Sequence, residues 1–254
     1  MVLQPETGHD GATLNARTID NWRRAWDAMM STYLPDSEAA LSAVFDTIQP
    51  RTPAARPHVL DLGGGPGTVT DRVLCRWPGA AVTLLDMDPV LPALARAALP
   101  PAVAVVDADL ATPGWNGFRT GQFDAVLAVM TVHYLPSTRI QALYREVRSA
   151  LRPGGALFVI DAMPEPEPSG ARGAGPREGP HAPSTWDDWW AEVRAHPQMA
   201  TLLTRRDGVF GHRAVAEFTA SAAWHRSALR TAGFTETTVP WRHGTHAAVA
   251  AWAG

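Results

Sequence analysis

Apolar positions along this chain fall into two regimes: stretches where they recur every three or four residues, and short runs where they are almost unbroken. The first regime opens near Thr18, where IDNWRRAWDAMMSTYL sets Ile19, Trp22, Trp26, Met29, Met30 and Tyr33 on one side of an amphipathic helix. Pro35 ends it, and Asp36 or Ser37 caps a second helix, SEAALSAVFDTI, with Leu41, Val44, Phe45 and Ile48 on one face. After the proline-rich QPRTPAARP the pattern changes to unbroken runs: Val59 to Leu62, AVTLLDMD from Ala81, VAVVDADL, FDAVLAVM from Phe123, and ALFVIDAM. Helical patterns lie between them, one from Thr68 to about Trp77 and another, IQALYREVRSAL, with Leu143, Val147 and Leu151 on one face and RPGG closing it. Strands apolar on both faces are covered on both sides and run mostly parallel, so the pattern predicts a doubly wound α/β sandwich.

Composition narrows this. A chain of 254 residues with 46% hydrophobic content can bury one sizeable core, so a single domain over 1–254 is expected, with N-terminal helices at 15–50 and an insertion at 164–223. A net charge of -3 gives no basic surface for nucleic acid or membrane, which leaves a small molecule as the expected partner. All 22 basic residues are arginine, which excludes a lysine Schiff base and a Walker-type lysine. The one cysteine, Cys75, fits a reducing compartment and, from its place in a helix, reads as a packed thiol. The acid-bearing opening residues do not read as a signal peptide and there is no 18-residue apolar run, so a cytoplasmic location is expected.

The candidate chemistry centres on VLDLGGGPGTVT. Gly63, Gly64, Gly65 and Gly67 remove every Cβ where a buried strand turns into a helix, so a polar ligand can approach the main chain at the helix N-terminus. Asp86 stands 19 residues beyond Gly67, at the tip of the next strand, where a carboxylate can accept both hydroxyls of a ribose. A nicotinamide fingerprint would place a third glycine where Thr68 stands, and the turn here follows two helices rather than opening a domain, so hydride chemistry is disfavoured.

The succession VLDLGGGPG, LLDMD, VVDADL, FDAVLAVMTVHYLP and LRPGGALFVID, over about Val59 to Met163, resembles the class I S-adenosylmethionine-dependent methyltransferases, and its N-terminal helices are placed as in the small-molecule branch. LRTAGFTETTVPW and THAAVAAWA look like that family's last helix and closing strands. The resemblance implies a Rossmann-like seven-stranded sheet, mostly parallel with an antiparallel last strand, and S-adenosylmethionine as cofactor. It implies that Asp61 orients the methionine amino group, that Gly63, Gly65 and Gly67 admit the cofactor, and that Asp86, with Met87 beside it, holds the ribose. It further implies that Asp109, or else Asp107, reaches the adenine amino group with Leu110 nearby, and that Met130 lines the methionine part. Loop capping is the other reading of Asp107 and Asp109.

Methyl transfer from a sulfonium is an in-line displacement, so positioning carries much of it, and a general base matters when the acceptor is a hydroxyl. VMTVHYLP departs from the Asn-Pro-Pro-Tyr pattern of exocyclic-amine methyltransferases, and Cys75 has no following proline, so nucleic-acid substrates are not expected. His133 and Tyr134, which follow the fourth strand, become the catalytic candidates, with a structural turn as the other reading of His133. His243 and His246 sit in a hairpin where their spacing is expected to point them to opposite faces, against metal binding. Residues 164–185 are so rich in proline and glycine that a long flexible loop is expected there, leading into a helix with Trp186, Trp189 and Trp190. The insertion reads either as a tryptophan-lined cap over the acceptor, with Trp22 and Tyr33 as weaker candidates for closing it, or as helices packed on the sheet edge, and core packing is the leading reading of the first helix's tryptophans. A cap would suit an apolar or aromatic acceptor, methylated on oxygen or nitrogen. The alternative function is a protein that binds the cofactor without transferring its methyl group.

Overall fold

The Asn15 side chain accepts a hydrogen bond from the Thr18 amide at 2.9 Å and so starts α1 (Ala16–Tyr33). Pro35 and a left-handed Asp36 turn the chain into α2 (Ser37–Ile48). A computed structural model describes residues 14–48, 56–115, 117, 120–165, 185–211, 213 and 216–254. From β1 (His58–Leu62) strands and helices alternate: α3 (Thr68–Arg76), β2 (Ala81–Asp86), α4 (Leu91–Ala98), β3 (Ala104–Asp107), β4 (Phe123–Val129), α5 (Ser137–Ala150) and β5 (Leu151–Ala162). Three helices follow, α6 (Trp186–Arg194), α7 (Ala200–Phe210) and α8 (Ala222–Thr231), and the chain closes with β6 (Glu236–His243) and β7 (His246–Trp252).

The strands form one sheet in the order β3-β2-β1-β4-β5-β7-β6, with β1 to β5 parallel and β7 antiparallel to both of its neighbours. This is the Rossmann-like sheet anticipated above. Its strand order reverses between β1 and β4, and the crevice beyond their carboxyl ends is where such sheets place a ligand. Alternation along each strand feeds two cores. Leu60, Leu62, Val126 and Val159 pack with α5 and α8, whereas Val59, Val82, Leu127 and Phe158 pack with α2.

A third cluster joins Trp22, Trp26 and Met29 of α1 to Val90, Leu91 and Leu94 around α4 and to Trp189, Trp190 and Val193 of α6. An indole buries about 150–250 Å², roughly 4–6 kcal/mol of transfer free energy, which favours packing these rings together over leaving them open to a ligand. Accordingly Trp22 is 2% exposed and Trp189 and Trp190 are 1% exposed, with the Trp189 indole N–H donated to the Trp22 carbonyl at 3.0 Å. Trp22, Trp189 and Trp190 are core rather than a ligand-facing surface, which corrects the tryptophan-lined cap, and Trp186 is half-buried against Trp26.

Other expectations also change. Short α4, with Pro92 in its first turn, has no counterpart in the pattern reading. β5 begins at Leu151 directly after α5, so RPGG lies within the strand beside a register shift opposite Phe123 and Ala125. Cys75 is exposed on α3, not packed. The proline- and glycine-rich loop falls on residues 166–184, outside the described residues. Among the described residues no helix is long and apolar enough to cross a membrane.

Candidate active site

The glycine turn after β1 is built around backbone that only glycine tolerates. Gly63 has φ +64° and a Cβ there would stand 2.5 Å from the Thr131 side chain; Gly67 has φ +84° and its Cβ would meet Leu99 at 2.7 Å. The Gly64 amide donates to the Leu85 carbonyl at 3.0 Å and the Gly65 amide to the Asp86 carboxylate at 2.9 Å, so the turn is pinned to the end of β2. From α1, the Arg23 guanidinium donates to the Pro66 carbonyl at 2.7 Å and pairs with Asp71 at 2.5 Å. A cavity of about 100 Å³ lies between this turn and the N-terminal helices, lined by Gly63, Gly65, Trp26, Met30, Val129 and Met130 among others.

Two acids face the turn. Asp61 is 1% exposed and accepts one side-chain hydrogen bond, from the Thr70 hydroxyl at 2.8 Å. Burial is the main force pushing its pKa up to about 7, with the neighbouring Asp86 adding to it and Thr70 opposing. Burial likewise raises Asp86 to about 6, against backbone hydrogen bonds from Asp88, Gly65 and Met87. Asp86 keeps partial exposure at the surface, and Met87 is half-buried next to it. Met130, at the end of β4, holds φ +49°, a left-handed conformation uncommon for a side chain of its size, and its amide donates to the Ile160 carbonyl at 2.8 Å.

Further along the rim the acids are already engaged. Asp109 caps its own loop through the Ala111 amide at 2.8 Å and holds Arg213 in a two-pronged pair at 2.7 and 2.9 Å. Arg213 is therefore the main cause of the low Asp109 pKa. Asp107 pairs with Arg96 at 2.7 Å, and buried Leu110 gives its carbonyl to Arg139 at 2.6 Å. Asp88, which follows Asp86, accepts from Arg206 at 2.7 Å, and Arg206 lies 3.6 Å from the Trp190 ring centroid.

After β4 the chain makes a single 3₁₀ turn, Val132–Tyr134. His133 Nδ1 stands 2.7 Å from an oxygen of Asp161, a 1% exposed carboxylate at the end of β5 that also accepts the Ala162 amide at 2.8 Å. A carboxylate only accepts, so Nδ1 carries the proton of this hydrogen bond, and Nε2 is the ring nitrogen not engaged by Asp161. Tyr134 packs on His133 at 4.0 Å between ring centroids and remains half exposed, as does Tyr33 at the end of α1. Burial and the charges of Asp161, Asp86 and Glu217, together with Tyr33, raise the Tyr134 pKa. The Phe218 amide donates to the His133 carbonyl at 2.9 Å, tying the segment before α8 to this turn.

His243 and His246 are cross-strand partners, so they share one face of the hairpin rather than pointing apart. Among the described residues no group of His, Cys, Asp and Glu is disposed to hold a metal. Asp61, the glycines, Asp86, Met87 and Met130 thus converge on the crevice, and His133, Tyr134 and Tyr33 stand at its β4–β5 end. Asp161, Arg23, Arg206 and Arg213 escaped the pattern reading, and Trp26 was placed only on the apolar face of the first helix. Asp161 alone had a local signal, an acid ending the apolar run ALFVID.

Residues 59–155 match a methyltransferase domain family. Over these residues the chain is similar to methyltransferase domains. It is 33% identical to mouse acetylserotonin O-methyltransferase over 126 residues, which cover 46% of this chain and 30% of that protein. It is 36% identical to trans-aconitate 2-methyltransferase of Methylobacterium nodulans over 144 residues, 56% of this chain and 52% of that one. The chain therefore spans about half or less of the length of these curated relatives. The fold is similar to human N-acetylserotonin methyltransferase in complex with S-adenosylmethionine, with a TM-score of 0.55 and 16% identity over 96% of this chain and 61% of that one.

Proposed function

We propose that this methyltransferase domain binds S-adenosylmethionine in the crevice and methylates the oxygen, or less readily a nitrogen, of a small aromatic molecule. The residues fit the cofactor: a buried carboxylate with a single side-chain partner at Asp61 suits an ammonium group, and the glycine turn leaves no room for side chains of its own. Asp86, with Met87 beside it, would hold the ribose. Asp109 would reach the adenine once Arg213 yields one of its oxygens. When bound, the sulfonium supplies an electrophilic methyl group, whose bond to sulfur breaks as the bond to the acceptor oxygen forms.

One observation carries the reading, the His133–Asp161 pair at 2.7 Å. His133 Nε2 takes the hydroxyl proton as the oxygen attacks, and buried Asp161 fixes the ring and stabilises the imidazolium that results. A net charge of -3 supports a small-molecule acceptor over nucleic acid, and the single cysteine supports a cytoplasmic setting.

The experiment is labelled-methyl transfer to hydroxylated aromatics, with cofactor binding followed by calorimetry. His133→Ala should lower turnover by about 100-fold or more with cofactor affinity unchanged. Turnover that survives this substitution removes His133 from the chemistry, and cofactor binding without transfer to any acceptor favours a binding protein.

A further inference from the structure

Asp86 is held from two directions at the end of β2. Each of its oxygens accepts a backbone amide, Oδ1 from Asp88 at 2.9 Å and Oδ2 from Gly65 at 2.9 Å, so two main-chain donors fix the plane of the carboxylate. The Gly65 bond belongs to the glycine turn. The Asp88 bond leads elsewhere, because Asp88 is itself engaged at both oxygens: Oδ1 accepts the Val90 amide at 2.8 Å and Oδ2 accepts Arg206 Nε of α7 at 2.7 Å. A continuous line of hydrogen bonds therefore runs from α7 through Asp88 to Asp86 and on to the glycine turn.

The α7 end of that line is firmly seated. The Arg206 guanidinium carbon lies 3.6 Å from the Trp190 ring centroid and 4.8 Å from that of Phe210, and Trp190 belongs to the cluster that packs α1 against α6. With side-chain exposure of 14% for Arg206 and 6% for Asp88, the pair has given up most of its hydration. Apolar side chains of similar volume would hold α7 against the turn equally well, since desolvation consumes most of what a buried ion pair gains. What apolar packing does not supply is direction. A charged, hydrogen-bonded partner fixes where Asp88 stands and, through the Asp88 amide, the tilt of Asp86.

We propose that Arg206 is a positioning residue for the cofactor, holding Asp88 so that its amide sets the Asp86 carboxylate toward the hydroxyls of the ribose. This rests on the reading of Asp86 as the ribose acid and adds to it the helix that keeps that acid in place.

The test is calorimetry with S-adenosylhomocysteine and with its 2′,3′-dideoxy analogue, which lacks the ribose hydroxyls. Because Arg206→Ala alone strands the Asp88 charge, the variant is Arg206→Met combined with Asp88→Asn, which keeps an unbranched stem over the rings and an oxygen for the Val90 amide; a thermal transition checks its fold. It should bind S-adenosylhomocysteine about tenfold more weakly and the dideoxy analogue within about twofold of the unsubstituted protein, so that the preference for the hydroxyls shrinks. Arg206→Lys keeps a cation for Asp88 without the flat face over Trp190 and should show a smaller loss confined to the same ligand, and it decides the matter if the double variant lacks a transition. An equal loss for both ligands, or an unchanged preference in a folded variant, overturns the proposal and leaves the cofactor site standing. An unsubstituted protein that binds both ligands equally overturns the Asp86 assignment along with it, and one that binds neither overturns the cofactor site itself.

Discussion

Asp61 and Asp86 sit where burial opposes their ionisation, and that sets a pH signature for the site. Their folded pKa values, about 7 and about 6, lie above the ordinary carboxylate value of 3.8. Without ligand, the stability they contribute is fully present below pH 3.8 and is lost as pH rises through 6 and 7. His225 works the other way. Burial lowers its pKa to about 4 beside the Tyr144 hydroxyl at 2.6 Å, so its contribution is present above the ordinary 6.5 and is lost as pH falls through 4. A ligand ammonium at Asp61 and ribose hydroxyls at Asp86 both favour the ionised acids. Binding of S-adenosylhomocysteine near pH 6 should therefore release protons, seen as a heat that changes with the ionisation enthalpy of the buffer. Asp86→Asn should reduce that release; a heat independent of buffer would show that these acids do not meet the ligand.

At the scale of elements, α7 and the segment after it are held near the strand ends by ion pairs, beside the tryptophan packing of α6. Arg206 pairs with Asp88, both nearly buried, and lies over the Trp190 and Phe210 rings, whereas the Arg213–Asp109 pair is a quarter exposed. Arg206→Ala strands the Asp88 charge and should cost about 3 kcal/mol or more, against about 1 kcal/mol or less for Arg213→Ala, read by urea unfolding. Equal losses would mean that the packing alone holds these helices. None of this was legible in the sequence, because Arg206 and Asp88 are 118 residues apart and an ion pair across the fold leaves no periodic trace. What was legible is local: the unbroken apolar runs became β1 to β5, and the glycine turn required no partner to be recognised. His133 could be read from its place after β4, but its partner Asp161 depends on β4 and β5 being neighbours. The tryptophans left packing and ligand contact both open for the same reason, since their spacing shows that they share a face and only tertiary packing shows that α1, α4 and α6 bury it.

Across the whole molecule, α1 links the glycine turn to α4 and α6. Midway along it Arg23 grips the Pro66 carbonyl and Asp71 behind the glycine turn, and just beyond its finish Asp36 pairs with His243. Between these points Trp26 lies 3.6 Å from where a Gly65 Cβ would be. One helix therefore backs the glycine turn, with Trp26 and Met30 lining the cavity beside Gly63 and Gly65. Arg23→Ala should loosen the turn from the helix and weaken S-adenosylhomocysteine binding about tenfold, the effect of losing a charged hydrogen bond to the backbone that shapes the site. The control is Arg152→Ala, which breaks a pair with Asp124 at 2.9 Å near the start of β4, away from the crevice, and should leave binding unchanged. Calorimetry on both variants, each checked for an intact thermal transition, decides it: equal affinities would show that α1 covers the site without shaping it. A selective loss in Arg23→Ala would place the first helix among the parts that bind.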